Sequence, residues 1–178
     1  MDINFLVKLT SRAWSLKILS VLHSGVAGRQ APLIAATNAS RTAFVSSLNH
    51  LLQLELLEKN PGHGHPLRPE FRLTRSGVVA AEMASRIVNA VPDEEDFAIV
   101  RRSWAVPVLA VTRSPERFSI IKSALGPITD RALSQSLETL EKQDWLNRAI
   151  SFSSRKPFPT YQAVNAGLQI NLAVGLSV

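Results

Sequence analysis

Arg41, Thr42, Ser46, Asn49 and His50 lie within one short string, "RTAFVSSLNH", directly behind Ser40. Each carries a group that hydrogen-bonds to a base edge or a phosphate. Arginine pairs bidentately with guanine and asparagine with adenine, while hydroxyls take either kind of partner. Among them stand Phe44, Leu48 and Leu51, spaced i, i+4 and i+7 like the buried face of a helix. Ser40 is the expected N-cap, its hydroxyl accepting an orphan backbone N–H. The string therefore reads as an amphipathic helix with a polar face suited to nucleic acid. Any solvated helix face would carry similar residues, so their role depends on the elements around them.

A second string, "DRALSQSLETLEK", repeats the pattern behind Thr129. Leu133, Leu137 and Leu140 form its apolar side, and Asp130, Arg131, Ser134, Gln135, Glu138 and Glu141 its polar side. Three acids on one face repel phosphates, so this helix is expected to read DNA more weakly than the first. A Pro/Gly-rich loop follows each helix after a short strand. The first, "PGHGHPLRP", offers His63, His65 and Arg68; the second, "SFSSRKPFP", offers Arg155 and Lys156. Two histidines flanking a glycine, with no cysteine or nearby carboxylate, make a weak metal set. No metal and no cofactor is expected.

These matching strings belong to an internal repeat. With Trp14 set over Trp104, Leu19 falls over Leu109 and Ser24 over Ser114. After a one-residue deletion, Ala43, Ser47, Leu48, Leu51 and Leu57 fall over Ala132, Ser136, Leu137, Leu140 and Leu146. An insertion in the next loop then sets Pro69, Phe71 and Gly77 over Pro159, Tyr161 and Gly167. Each copy reads as a short helix, a Trp-bearing helix, a third helix and the capped polar helix. Two strands around a Pro/Gly-rich loop follow, and then a final helix, capped by Thr74 in one copy and Asn165 in the other. The segment "NAVPDEED", 89–96, is the expected linker. The expected domains are thus 1–91 and 92–178. The expected fold class is α+β, mostly helical: two tandem winged helix-turn-helix domains packed as a pseudo-two-fold dimer.

Composition narrows the function. Twenty Lys/Arg against 14 Asp/Glu give a net charge of +6, which fits an anionic partner. Residues 1–90 carry +5 of it and residues 91–178 only +1, so the first half is expected to grip a polyanion harder. There is no cysteine, which excludes a disulfide framework, a thiolate metal site and a catalytic thiol. No nucleophile elbow, P-loop or dinucleotide fingerprint is present, so no enzyme is expected. The start "MDINFLVKLTSRAW" has no basic segment followed by an apolar one, and no apolar run reaches bilayer length. The expectation is a cytoplasmic protein without a membrane partner.

Each copy resembles the HxlR-type branch of the winged-helix transcription regulators, near the MarR group. The second keeps Trp104, Arg117-Phe118, Gly126, Ile128-Thr129, Leu133, Leu137, Leu140-Glu141, Arg148, Pro159, Tyr161 and Gly167. The first keeps Trp14, Ile18-Leu19, Ser40, Leu48, Leu51, Pro69, Phe71, Leu73-Thr74 and Gly77, but has "GRQAP" where the family has Arg-Phe. The resemblance implies that the capped helices lie in the major groove of double-stranded DNA. It also implies that the halves pair through 1–9, 78–91, 92–100 and 167–178 as separate subunits of single-domain relatives do. Family members often sense oxidants through an N-terminal cysteine, a role this cysteine-free chain does not inherit. A DNA-binding transcriptional regulator is the expected function, and the alternative is an interaction module that kept the fold and lost DNA binding. The apolar tail "LAVGLSV" leaves a further homodimer open, and a small-molecule effector cannot be read from the sequence.

Overall fold

The computed structural model describes residues 2–65, 68–153 and 155–176, with side chains described outside 61–65 and 68. The fold is α+β and mostly helical, with two small antiparallel sheets. No described helix is long and apolar enough to cross a membrane. The chain divides into two compact units, Arg12–Asn89 and Met1–Ser11 with Ala90–Val178.

Helix α1 (Ile3–Thr10) opens the chain, with the Asp2 carboxylate accepting from the Asn4 N–H. The expected first domain, 1–91, therefore differs from the compact unit, because α1 groups with the later residues. Leu6 and Leu9 of α1 are fully buried, and the Thr10 hydroxyl donates to the Ser103 carbonyl at 3.0 Å.

The unit Arg12–Asn89 holds α2 (Ser15–His23), α3 (Gln30–Thr37), α4 (Arg41–Gln53), β1 (Leu57–His65), β2 (Arg68–Leu73) and most of α5 (Arg75–Ala90). Trp14 precedes α2 and is buried, its N–H donating to the Ser47 hydroxyl on the inner side of α4 at 3.3 Å. Phe44, Leu48 and Leu51 are buried, as their spacing requires. The Ser40 hydroxyl accepts from the Ala43 N–H, the cap read from sequence. Each such cap is worth about 1 kcal/mol. Strands β1 and β2 form an antiparallel hairpin with an irregularity between Lys59 and Gly64. Gly64 pairs with Pro69 and His65 with Arg68, so much of the segment expected as loop is paired strand. Pro66 and Leu67 of that loop lie outside the described residues.

The other unit continues from α1 through α6 (Glu94–Val100), α7 (Ala105–Ala110), β3 (Glu116–Arg117), α8 (Phe118–Leu125), α9 (Asp130–Lys142), β4 (Leu146–Ser151), β5 (Phe158–Ala163) and α10 (Asn165–Val174). The acidic part of the expected linker is the first turn of α6, where Glu94, Glu95 and Asp96 face the positive end of the helix dipole. Strand β3 was not foreseen. It pairs Glu116 with Tyr161 and Arg117 with Thr160, giving a three-stranded sheet in the order β3-β5-β4. In the first unit the corresponding place holds a single bridge, Arg29 to Glu70.

Several backbone details recur in the two units. Helices α4 and α9 each span 13 residues behind a hydroxyl cap, with the Thr129 hydroxyl accepting from the Ala132 N–H. Each is followed by a left-handed residue, Glu55 at φ 56° and Asp144 at φ 57°. The next N–H then turns back to the helix, Leu56 to the Leu51 carbonyl and Trp145 to the Leu140 carbonyl, both at 3.0 Å. Gly77 and Gly167 sit directly on the Leu56 and Trp145 carbonyls, where an added Cβ would lie 1.9 and 2.1 Å from the oxygen.

The caps of the final helices differ from each other. Thr74 caps α5, its hydroxyl accepting from the Gly77 N–H at 3.0 Å. Asn165 does not cap α10. It lies at φ 50° inside the helix start and its side-chain amide donates to the Asp144 carbonyl at 2.8 Å, so it ties the helix back to the turn instead.

Candidate nucleic-acid interface

The caps orient the polar helices, and their buried leucines fix which side faces out. On α4, Arg41, Thr42, Ser46 and Asn49 are exposed, as is the cap Ser40. Arg41 is the first residue of the helix, the end that reaches furthest toward base edges in helix-turn-helix docking. His50 is only half-buried rather than exposed, so it stands at the margin of this face. The side chains of His63, His65 and Arg68 lie outside the described residues. Among the described residues no group of three or more His, Cys, Asp or Glu gathers as a metal site would.

On α9, Thr129, Arg131, Ser134 and Gln135 are exposed, together with Asp130, Glu138 and Glu141. The acids are less isolated than the sequence alone indicates. Lys122 of α8 pairs with Asp130 at 2.5 Å, a compensation invisible in the helix itself. Lys142 pairs with Glu138 at 2.6 Å, and this hydrogen bond, with the charge of Lys142, holds the Glu138 carboxyl below its ordinary range. Glu141 borders a cleft of about 190 Å³ with Phe118, Ser134, Leu137, Glu138, Arg148 and Tyr161. The cleft lies between α8, α9 and the sheet, so Arg148 carries positive charge to the edge of the polar helix.

The hairpin of β4 and β5 extends this face. Arg148 pairs in register with Tyr161, and Arg155 and Lys156 are exposed between the strands. Arg117 of β3 lays its guanidinium over the Phe158 ring, 3.4 Å from the centroid. Two of these, Arg117 and Arg148, were read only as residues of the resemblance. Their place beside the polar helix depends on sheet pairing across more than ten residues, which no local pattern carries.

Trp14 and Trp145 are buried and Trp104 is half-buried, consistent with packing rather than a ligand cage.

Residues 99–174 match the HxlR-like helix-turn-helix family, a span that begins in α6 and ends with α10. The chain is similar to the uncharacterized HTH-type transcriptional regulator YtfH of Escherichia coli (strain K12), with 31% identity over 81 residues. The same identity over the same length is found with the protein of that name in Shigella flexneri. In each case the similarity covers 45% of this chain and 64% of the relative, so the chain spans a little under two thirds of the length of the curated relatives it matches. No solved structure matches significantly. Residues 99–174 are thus similar to an HxlR-like helix-turn-helix domain.

Proposed function

We propose that this protein is a cytoplasmic, DNA-binding transcription regulator in which two winged helix-turn-helix units are fused in tandem. The carrying observation is that 99–174 match a helix-turn-helix family while the turn around α4 shares four local features with that around α9. The cap, the left-handed residue, the returning N–H and the glycine on a carbonyl occur in both. A helix, its hydroxyl cap and a hairpin behind it are what winged-helix docking uses, with the helix in the major groove and the hairpin beside it.

In this reading α4 is the main reader, through Arg41, Thr42, Ser46 and Asn49, and Ser40 and Arg68 contact the backbone. His50 contributes at the margin. On α9, Thr129, Arg131, Ser134 and Gln135 contribute less because acids share their face, and Arg155 and Lys156 add phosphate contacts from the hairpin. The packing of α1 with α7 and α8 supports a built-in pseudo-dimer, since an element of the first repeat completes the unit containing the second. Tethering the halves raises the effective concentration of each for the other, so one chain can do what two subunits do elsewhere.

One observation favours a second reading for the later unit. Asp130, Glu138 and Glu141 remain exposed beside only two cations on α9 itself, the pattern of a face turned toward protein rather than DNA. Winged helices serve both ends, so fold alone does not choose. Selection of duplexes from a randomised pool by the full chain, followed by stoichiometry on the winner, separates the readings. The tandem reading expects one chain per site and an imperfect palindrome whose halves lie roughly 34 Å apart. Two chains on a perfect palindrome count against the built-in dimer, and a single unpaired half-site makes the later unit an interaction module.

A further inference from the structure

We propose that the β4–β5 hairpin enters the DNA minor groove and seats Phe152 as an apolar wedge between base pairs. This rests on the DNA-binding reading above and assigns to the later unit a contact different from base reading by its helix. Phe152 is 78% exposed, the most exposed of the large hydrophobic side chains described. It follows β4 directly, and Ile150, two residues earlier, is 49% exposed.

The ring is held out by its neighbours. The Ser151 and Ser153 hydroxyls lie 2.9 Å apart, and the Ser153 N–H donates to the Ser151 hydroxyl at 3.4 Å. These bonds close a small turn whose apex is Phe152. The other phenylalanine of the hairpin, Phe158, has the Arg117 guanidinium laid over it. Two phenylalanines on one hairpin thus have different surroundings, one covered by a cation and one presented to solvent.

Charge selects the occupant. Arg148, Arg155 and Lys156 lie on the hairpin, and no Asp or Glu occurs anywhere after Asp144. The acids of this unit, among them Glu116 on β3 and Glu138 and Glu141 on α9, stand on other elements. An uncovered aromatic on a hairpin whose own charges are all positive complements a polyanion that has an apolar interior. A DNA duplex has both features: phosphates line the minor groove and stacked bases form its floor. Side chains of this type unstack base steps and kink the duplex toward the major groove. The first hairpin has "PGHGH" at the corresponding place, with no Phe, Tyr or Trp, so the apolar wedge belongs to the later unit alone. The division also accounts for the acidic face of α9: this unit grips and bends through its hairpin, and α4 reads.

The test uses the full chain and a duplex it selects from a randomised pool, labelled at both ends for energy transfer and carrying 2-aminopurine along the minor groove. Wild type is expected to bend the duplex by roughly 20–90° and to brighten 2-aminopurine at one step. Phe152→Ala is expected to bind about tenfold more weakly, with bend and fluorescence change lost, and Phe152→Leu to keep most of the bend. Phe152→Ala with wild-type affinity and bend overturns the proposal, and is the outcome expected if Phe152 instead docks an acidic protein segment. A wild-type chain that selects no duplex overturns the DNA-binding reading itself, and the wedge falls with it. Since Phe152 is exposed, unchanged circular dichroism and melting of both variants are expected, which separates lost contact from lost fold.

Discussion

A chain carrying Arg41→Ala together with Asn49→Ala is expected to bind its preferred duplex at least roughly thirtyfold more weakly than wild type. Each bidentate base contact contributes about 1–3 kcal/mol of discrimination, and the two residues stand on one exposed side of α4. Arg41, at the first turn, and Asn49, two turns on, would read bases at separate steps, so their losses should nearly add. The loss should also be specific, with non-specific duplex falling much less because phosphate contacts from Arg155 and Lys156 remain. Arg131→Ala with Gln135→Ala on α9 serves as the comparison. Its effect should be about tenfold or less, since Asp130, Glu138 and Glu141 share that face. All four side chains are exposed, so thermal melting should barely change. Equal binding of the α4 double variant and wild type to their best sites rules α4 out as the reader.

The largest effect on stability is expected at two glycines. A Cβ at Gly77 would stand 1.9 Å from the Leu56 carbonyl oxygen, and one at Gly167 would stand 2.1 Å from that of Trp145. Neither obstacle is the flexible end of a side chain. Each is backbone in the turn between the polar helix and the hairpin, and that turn is fixed by the N–H of Leu56 or Trp145 returning to its helix. At Gly167 the Leu109 side chain also lies 2.9 Å from the added atom. Gly77→Ala and Gly167→Ala must therefore push the final helix away or break the turn, at a cost of about 3 kcal/mol each. For units of this size the melting temperature should fall by roughly 10–20 °C. Val79→Ala, on the same helix as Gly77 but 60% exposed, should leave it nearly unchanged. Melting curves followed by circular dichroism check all three, and an unshifted Gly77→Ala would show that the helix does not rest on that carbonyl.

What was legible in the sequence is what local periodicity and local hydrogen bonding determine. Ser40 and Thr129 cap their helices, and the leucines at i, i+4 and i+7 behind them are buried, because both effects act within two turns. Polar residues opposite those leucines are exposed for the same geometric reason, except His50, which falls nearer the buried margin. The features that were not legible depend on distant partners. Strand β3 is only Glu116–Arg117 and exists through its pairing with β5, some forty residues later. Asn165 has the composition of a cap, yet the turn at Asp144 claims its side chain. Pro and Gly in "PGHGH" read as loop, whereas the hairpin carries extended backbone to His65 and absorbs the mismatch as an irregularity after Lys59. The place of α1 depends on its packing with α7 and α8 and on the Thr10 hydroxyl reaching the Ser103 carbonyl, 93 positions away, which its own amphipathic pattern does not specify.

The candidate interface follows the same rule. The exposed polar residues of α4 follow from helical spacing, whereas the cations that flank α9 are brought there by the fold. Lys122 arrives from α8 and Arg148 from the sheet, so a helix that looks acidic in sequence has a less repulsive setting in three dimensions. That difference sets the expected hierarchy, with α4 strong, α9 weak and the later hairpin more important than its helix.

The central claim, that this chain binds duplex DNA as a regulator, is tested most directly by the salt dependence of binding. Fluorescence anisotropy of the full chain with its selected duplex, measured across a series of salt concentrations, should give log K falling linearly with log salt. With about six phosphates neutralised by the two helices and hairpins, the slope should lie near −5. A full chain that binds no duplex, or one whose affinity does not move with salt, contradicts the account.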